Sequence, residues 1–363
     1  MRGGEKCLEI LCELYPEADL YTLLYVKNQL SPAIEKMNIK TSFIQGFPMA
    51  SKYYRYYLPL FPAAIEQFDL KGYDLVVSTS HCVAKGILPV PDSLHISYCF
   101  TPMRYVWDMH FEYFKKSHFG FKKVSVPFLS NYLRMWDVTS SHRVDFFVAI
   151  SRHVQKRIKK FYGRESIVIY PPVDCDFFQP LPSSDQQGDY FLMVTAFAPY
   201  KSIDLVIHAF NRLGTPLFII GDGQERRKLE RFAKKNIEFL GWQGNEEVRN
   251  YYRECKAFVF PGEEDFGIAP VEAQACGKPV IAYGRGGVLE SVIAFPKENP
   301  TGVFFDHLTP ESLSEAIDLF ERNIDQFDSR QIRRNALPFH KNNFREKIKS
   351  FIEEKYKEHI QIR

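Results

Sequence analysis

Two glutamates in the C-terminal half of the chain stand eight positions apart in a segment whose composition suits a binding site. Glu264 falls in a short loop after an apolar run, and Glu272 falls on a helix predicted to begin near Ile268. Gly267 allows the backbone of this loop to approach a ligand closely. The first N–H groups of a helix have no intrahelical acceptor, so the amides of Phe266, Gly267 and Ile268 are expected to bind an anion. Such a site suits a ligand with phosphate between two hydroxylated sugars.

The residues around these glutamates carry more information than their spacing. Two glutamates at this distance could be incidental surface charge, but the order from Glu264 is Glu-Asp-Phe-Gly-Ile-Ala-Pro-Val-Glu-Ala, after a predicted strand and before a predicted helix. This run resembles the Glu-x7-Glu motif of the retaining glycosyltransferases of family 4, which have the GT-B fold. Four further segments look most like the bacterial O-antigen mannosyltransferase branch: 101–108, 170–174, 199–201 and 221–223.

The resemblance implies roles for matching residues of a donor site. Glu264 would be catalytic and bind the hydroxyls of the donor hexose, with the amides of Phe266, Gly267 and Ile268 near the sugar and the diphosphate. Glu272 would accept hydrogen bonds from the ribose.

Five other residues extend this implied site. Lys201 would be catalytic and neutralise the leaving diphosphate; a solvated lysine is the alternative, although a positive charge at a helix start opposes the helix dipole. Gly3 and Gly4, at the start of the first helix, would face the same diphosphate across a cleft. Trp242 and Gln243 end a strand where the family binds the nucleotide base, but simple packing of Trp242 is an alternative.

Three departures from the family pattern bear on activity. The family has a strand before the segment that matches Gly3 and Gly4, so the first sheet is expected to lack its central strand. Ala196 stands in place of a phosphate-binding arginine, which leaves Lys201 to carry that charge alone. Phe100 stands where relatives have a histidine near the donor sugar, and its ring cannot hydrogen-bond a hydroxyl as imidazole does. These departures keep open a second class of function, a GT-B-fold carbohydrate- or nucleotide-binding subunit with impaired catalysis.

Short apolar runs alternate with helical patterns, which predicts the scaffold for these residues. Strands buried on both faces are apolar along their length. The alternation therefore predicts an α/β protein with two doubly wound, Rossmann-like domains, and the resemblance implies that they face a cleft. The predicted strands are 73–80, 94–101, 144–151, 166–173, 190–197, 216–223, 237–242, 256–262 and 279–283; helices are predicted at 202–214 and 224–235.

A break rich in proline separates the two series of strands. Prolines between positions 171 and 182 stiffen the chain, and the polar stretch that follows cannot pack. The polar helix 345–359 near the end of the chain is expected to return to the N-terminal domain. The predicted domains are 1–172, 173–338 and the C-terminal segment 339–363. The resemblance implies that the first binds the acceptor and the second binds the sugar nucleotide.

Composition narrows the classes of protein. The 363 residues suit two domains, and no apolar run reaches the roughly 18 residues that a membrane-spanning helix needs. Seven cysteines without a Cys-x-x-Cys pair, and no visible signal peptide, indicate a cytoplasmic protein with reduced thiols. The net charge of +3 does not indicate nucleic-acid binding.

One segment is strongly basic. Residues 104–164 hold 13 Lys and Arg against 4 Asp and Glu, a net charge of +9, with aromatic residues interleaved. This segment could be a solvated basic face, or a surface for anionic lipid or a phosphorylated acceptor. Binding to nucleic acid is not expected, because no nucleic-acid-binding motif accompanies the segment.

The resemblance implies a metal-independent reaction that retains the anomeric configuration. No cofactor is expected, since the nucleotide sugar is a substrate. No Asp-x-Asp metal motif is evident at a donor site, because Asp174 and Asp176, which have that spacing, fall in the linker. The expected donor is GDP-mannose. The expected acceptor is a glycan or a polyprenyl-diphosphate-linked glycan of surface polysaccharide synthesis, reached by a protein peripheral to the inner membrane face.

Overall fold

The computed structural model describes residues 3–108, 122–181 and 188–362, with the side chains of 122–125 left out. The chain divides into two compact units. The first comprises Met1–Pro171 together with Phe344–Arg363, and the second comprises Pro172–Asn343. All strand pairs found in the described residues are parallel.

The strands of the first unit form two separate sheets. A two-stranded sheet contains β1 (Asp19–Thr22) and β2 (Asn38–Thr41), and a four-stranded sheet has the order β3-β4-β5-β6. The strands of this larger sheet are β3 (Leu75–Ser80), β4 (Leu94–Cys99), β5 (Phe146–Ala149) and β6 (Ser166–Val168). The helices are α1 (Gly3–Leu14), α2 (Pro32–Glu35), α3 (Ala50–Tyr53), α4 (Phe61–Glu66), α5 (Lys122–Ser141) and α6 (Arg152–Tyr162).

The core of the first unit lies around its longest described helix. Leu133 and Trp136 of α5 are buried with Phe61 and Ile65 of α4 in one apolar cluster. The indole N–H of Trp136 donates to Glu66 Oε1 at 2.8 Å, which satisfies its polar atom inside this cluster. Every residue of β4 is buried, as expected of an inner strand of a covered parallel sheet.

The second unit has a six-stranded sheet with the order β12-β11-β10-β7-β8-β9. Its strands are short and almost entirely apolar, which suits burial on both faces. They are β7 (Phe191–Val194), β8 (Leu217–Ile220), β9 (Ile237–Gly241), β10 (Ala257–Phe260), β11 (Val280–Tyr283) and β12 (Gly302–Phe305). The chain builds outward from β7 to β9 and then returns to the other side of β7, so the strand order reverses between β7 and β10.

Helices connect and cover these strands. They are α7 (Ile203–Leu213), α8 (Arg226–Glu230), α9 (Asn245–Glu254), α10 (Ile268–Ala275), α11 (Pro310–Arg322) and α12 (Ser329–Ala336), followed by α13 (Lys341–Ile362), which belongs to the first unit from Phe344 onward. The helix α7 buries Val206, Ile207 and Phe210 and ends at Gly214, whose left-handed conformation allows its N–H to donate to the Phe210 carbonyl.

One predicted helix is much shorter in the structure. The segment 224–235 was expected to be helical throughout, but α8 covers only Arg226–Glu230. The segment is dominated by charged residues, and only Leu229 of α8 is buried, so the segment presents too narrow an apolar face to extend the helix by packing. The predicted strands are present, with ends one to five residues shorter than expected.

Candidate functional site

The reversal of strand order in the second unit defines a place for a ligand. In open parallel sheets, ligands bind at the carboxyl ends of the strands where the order reverses, because the connecting loops diverge there. Here those strands are β7 and β10, which are paired neighbours. A small cavity lies at their carboxyl ends and is lined by Thr195, Lys201, Phe260, Gly262 and Glu264, among others.

Lys201 and Glu264 form an ion pair in this cavity. Lys201 Nζ donates to Glu264 Oε1, with side chains that are 15% and 28% exposed, respectively. Lys201 ends a 3-10 turn just before α7, and Ser202, which joins them, has a left-handed backbone with φ of 52°. A cation at this helix start is disfavoured by the helix dipole, so the carboxylate of Glu264 offsets that cost.

A pair of glycines fixes the backbone of the loop that carries Glu264. The N–H of Gly287 donates to the Glu264 carbonyl at 2.8 Å. A Cβ on Gly286 would overlap the Glu264 carbonyl oxygen, and a Cβ on Gly287 would overlap Phe266 Cα. Only glycine therefore permits this approach of the two loops. This pair was not predicted from the sequence, although the Gly-Arg-Gly-Gly run directly after β11 is its signal.

The next residues of the loop lead into α10 as expected. Gly267 has a left-handed backbone with φ of 89°, and Ile268 is the first residue of α10. The side chain of Phe266 is buried, and its ring lies 5.4 Å from that of Phe339. Phe266 thus anchors the loop in the core, and only its backbone is suited to contact a ligand.

Glu272 lies on α10, the helix that follows the loop of Glu264. Its side chain is only 8% exposed, and the hydroxyl of buried Tyr252 donates to Glu272 Oε2 at 3.4 Å. Burial, together with the nearby charge of Glu272, holds the pKa of Tyr252 well above its usual range, so this phenol remains a donor.

Trp242 and Gln243 follow β9 and differ in their surroundings. Trp242 is 79% exposed, so the interpretation of this residue as simple packing is wrong. The side chain of Gln243 donates to the Leu240 carbonyl at 2.7 Å and thereby holds the turn after the strand. An exposed indole at the carboxyl end of a strand offers an aromatic face to a planar ligand.

Gly3 and Gly4 are the first residues of α1 in the first unit. A Cβ on Gly4 would lie 3.2 Å from the ring of Phe100, which follows β4. The aromatic residue at position 100 therefore lies against the glycine pair within this unit. The contact of these glycines with a diphosphate remains a prediction.

Other residues on the loops that follow β7 and β8 were not identified as site residues from the sequence. A Cβ on Gly223 would lie 2.5 Å from the Phe197 carbonyl oxygen, and the N–H of Phe197 donates to the Asp222 carbonyl at 2.9 Å, so the loops after β7 and β8 are held together. Arg226 lies 3.7 Å from Asp222 and also pairs with Glu230. Ala196, on the same loop as Lys201, is exposed.

The Asp-x-Asp spacing of the linker is used for ion pairs within the second unit. Asp174 Oδ2 accepts from Lys341 Nζ at 2.7 Å, and Asp176 Oδ2 lies 3.0 Å from His340 Nε2. Within residues 3–108, 122–181 and 188–362, no group of three or more His, Cys, Asp and Glu side chains could hold a metal ion. No helix in that part of the chain is long and apolar enough to cross a membrane.

Two solved structures share this architecture over nearly the whole chain. Sucrose-phosphate synthase from Thermosynechococcus elongatus superposes with a TM-score of 0.72 over 97% of this chain and 92% of that one, at 17% identity. HepE of Anabaena, solved with UDP-glucose, superposes with a TM-score of 0.68 over 98% and 96% of the chains, at 16% identity. Both support a two-domain GT-B fold for the chain.

Curated relatives are similar over part of their length. An uncharacterized glycosyltransferase of Methanocaldococcus jannaschii is 33% identical over 180 residues, 48% of this chain and 48% of the relative. A GDP-mannose-dependent alpha-(1-6)-phosphatidylinositol monomannoside mannosyltransferase of Mycolicibacterium smegmatis is 26% identical over 202 residues, 48% of this chain and 52% of the relative. The alignments thus span about half the length of these relatives.

Two family models together account for almost the whole chain. The model described as Glycosyltransferase Family 4 matches residues 3–177, and the model described as Glycosyl transferases group 1 matches residues 177–336. The second match contains Lys201, Glu264 and Glu272. The chain therefore belongs to glycosyltransferase family 4.

Proposed function

We propose that this chain transfers a hexose from a nucleotide sugar to a glycan acceptor with retention of the anomeric configuration. The observation that carries the proposal is the placement of Lys201 and Glu264 together at the carboxyl ends of β7 and β10, where the strand order reverses. A cation and a carboxylate in one small cavity suit a ligand that joins a diphosphate to a hydroxylated sugar.

The proposed chemistry uses fixed charges of the chain. The diphosphate gains negative charge as its bond to the sugar breaks, and Lys201 would stabilise that charge together with the first amides of α10. Glu264 would hold the hydroxyls of the hexose, and Glu272 would hold the ribose. Lys201 and the amides of α10 would stabilise the leaving diphosphate without a divalent ion.

GDP-mannose is the proposed donor, by resemblance to the O-antigen mannosyltransferase branch. The Mycolicibacterium smegmatis relative is named as GDP-mannose-dependent, which supports this choice, whereas the solved HepE structure contains UDP-glucose. The exposed ring of Trp242, together with Gln243, would bind the base by stacking, which suits purines and pyrimidines alike.

The proposed acceptor is a glycan, or a glycan linked to polyprenyl diphosphate, at an anionic membrane surface on the cytoplasmic side. The relative named above acts on a phosphatidylinositol mannoside, which is a lipid acceptor. The basic segment 104–164 supports the same surface, although residues 109–121 of it lie outside the described part of the chain. On α5, Phe128, Tyr132 and Met135 are exposed on one face.

A binding subunit with impaired catalysis is the second candidate. It is favoured by the exposed Ala196, which brings no second cation to Lys201, and by Phe100, which cannot hydrogen-bond a sugar. Such a subunit would bind the nucleotide sugar at the same cavity but would not turn it over.

A thermal-shift screen followed by a donor-hydrolysis assay tests both candidates. We expect GDP-mannose to raise the melting temperature more than UDP-glucose or ADP-glucose, and the wild-type protein to release mannose slowly from GDP-mannose. Glu264→Ala should abolish that release while the fold survives. A shift without release or transfer by the wild-type protein would favour the binding subunit, and no shift with any of the three sugars would contradict both candidates.

A further inference from the structure

The ion pair of Lys201 and Glu264 has a consequence for ligand choice, which rests on the proposed function. Each side chain is the charged partner of the other in the cavity. A diphosphate that binds Lys201 would therefore meet the negative charge of Glu264 and compete with this carboxylate for the ammonium group. We propose that Glu264 competes with the diphosphate for Lys201 and so makes the site favour an intact nucleotide sugar over a free nucleoside diphosphate, which is the product.

The preference for the nucleotide sugar over the free nucleoside diphosphate follows from the partner that Glu264 has once its contact with Lys201 is broken. When a free nucleoside diphosphate takes Lys201, the Glu264 carboxylate stays in a cavity where it is only 28% exposed, without its cation. An unpaired carboxylate in such surroundings is unfavourable. A nucleotide sugar also takes Lys201, but its hexose hydroxyls donate hydrogen bonds to Glu264. The hexose therefore offsets the loss of Lys201 as a partner of Glu264, whereas the product has no hexose that could do so.

The backbone around the pair is held while the side chains exchange partners. The loop of Glu264 is fixed to Gly286 and Gly287, and the turn of Lys201 is fixed by its N–H bond to the Ala198 carbonyl at 3.0 Å. Rotation of the two side chains is sufficient for the exchange. Lys201 keeps an anion beside it in both states, as its position at the start of α7 requires.

The experiment compares nucleotide affinities of the wild-type protein and Glu264→Gln by calorimetry, with GDP, GDP-mannose, UDP, UDP-glucose and inorganic diphosphate as probes. Glutamine keeps the size of the side chain but does not pair with Lys201 as an anion. We expect Glu264→Gln to bind the matching nucleoside diphosphate and inorganic diphosphate about tenfold more tightly. Affinity for the nucleotide sugar should rise less, so that the preference for the sugar over the product falls.

Two controls separate competition from general electrostatics. Glu263→Gln removes one negative charge from the same loop and should leave the ratio of product to donor affinity within about twofold of wild type. In a Lys201→Ala background, Glu264→Gln should no longer tighten diphosphate binding, because the cation for which Glu264 and the diphosphate compete is absent. Melting temperatures verify that each variant is folded.

The outcomes distinguish this inference from the proposed function. If the wild-type protein binds both donor and product but Glu264→Gln binds the product no more tightly, the competition is absent and the proposed function stands. An equal gain in Glu263→Gln would also overturn the inference. If the wild-type protein binds none of the five probes, the proposed function and the inference both fail.

Discussion

Lys201 is the residue on which the proposed chemistry depends most directly. A fixed cation beside the diphosphate stabilises the transition state more than the ground state, because the charge grows as the bond to the sugar breaks. We expect Lys201→Ala to lower turnover about 10²-fold or more, with a smaller effect on donor affinity. Turnover at saturating donor is the measurement, and Lys228→Ala, which removes an exposed lysine paired with Glu225, is the matched control.

Ala196 offers a second variant for the same prediction. The residue is exposed on the loop that carries Lys201, so an arginine can be introduced there without overpacking. Ala196→Arg should raise turnover or partly restore Lys201→Ala, as measured in a double-mutant cycle. Full activity of Lys201→Ala would contradict the placement of the diphosphate beside this lysine.

Glu272 is nearly buried, so its role is best tested without creating a cavity. Glu272→Gln keeps the volume but removes the charge, and we expect nucleotide affinity to fall by roughly 1.5–3 kcal/mol, the range for a hydrogen bond to a charged group. Tyr252→Phe removes the hydroxyl that donates to this carboxylate and should alter nucleotide affinity less. Calorimetry that gives equal affinities for wild type and Glu272→Gln would exclude a ribose contact.

The sequence could identify candidate residues but not their mutual contacts. The spacing of Glu264 and Glu272 and the position of Lys201 at a helix start were readable because they are local features. The ion pair of Lys201 and Glu264 joins residues 63 positions apart, and no local pattern predicts such a contact. The close approach of Gly286 and Gly287 to the Glu264 loop is equally long-range.

Among the connecting loops, the glycine pair after β11 determines the position of the Glu264 loop. In Gly287→Ala, the new methyl group would overlap Phe266 Cα, a backbone atom, so the loops must separate. We expect a loss of about 1–3 kcal/mol in the free energy of unfolding and weaker nucleotide binding. Gly46→Ala, where the added Cβ meets no atom within 4 Å, should change neither property. Wild-type stability of Gly287→Ala in urea unfolding would show that the close approach of Gly287 to Phe266 does not fix the position of the Glu264 loop.

The helix α5 has one buried face and one exposed apolar face. Leu133 and Trp136 pack in the core, whereas Phe128, Tyr132 and Met135, spaced four and three residues apart, lie on the exposed face. We expect this face to bind vesicles that contain anionic lipid, with binding that weakens as salt rises. Replacing all three residues with serine should abolish sedimentation with such vesicles.

A matched control introduces serine at an exposed apolar residue outside α5. Leu289, which is exposed in the second unit, can be replaced with serine without altering α5. Leu289→Ser should sediment like the wild-type protein. Sedimentation that ignores both anionic lipid content and salt, or that survives the triple substitution, would contradict an attachment role for this face.

Elements were predictable where burial dictates composition. The strands of the second unit are apolar because both faces are covered, and β7, β8 and β10 were therefore visible as short apolar runs. The strands β1 and β2 were missed because they are polar and only half-buried, with sequences Asp-Leu-Tyr-Thr and Asn-Ile-Lys-Thr. Tertiary pairing, rather than composition, makes these segments strands.

At the scale of the whole molecule, the alternation of strands and helices was sufficient to predict the α/β class, and the family resemblance supplied the GT-B fold. The comparisons confirm that fold. The strand order was not readable, because it depends on which edge of the sheet each crossover returns to. The reversal between β7 and β10, which locates the cavity, is therefore a result of the structure alone.

His95 provides a pH-dependent test of the stability of the first unit. The ring is fully buried in β4, where Nδ1 donates to the Arg143 carbonyl at 3.1 Å and Nε2, 2.9 Å from Ser78 Oγ, accepts from that hydroxyl. Burial lowers the pKa of His95 to about 4, despite the opposing effect of the Arg143 carbonyl. Protonation of Nε2 would also remove its capacity to accept from Ser78.

The sign of the effect follows from proton uptake. Between its ordinary pKa of about 6.5 and the folded value, His95 binds a proton in the unfolded state but not in the folded state, so stability falls as the pH falls through this range. We expect the wild-type protein to lose about 2 kcal/mol more than His95→Gln in unfolding free energy between pH 7.5 and pH 5. His142→Gln, at an exposed position, should keep the wild-type dependence.

The tryptophans make this loss measurable in one unit. Trp107 and Trp136 lie in the first unit, whereas Trp242 of the second unit is already exposed and should report little of its unfolding. Tryptophan emission during urea unfolding therefore follows mainly the unit that contains His95, even if the two units unfold separately. Equal pH dependence in the wild-type protein and His95→Gln would show that the acid lability of this unit arises from other groups.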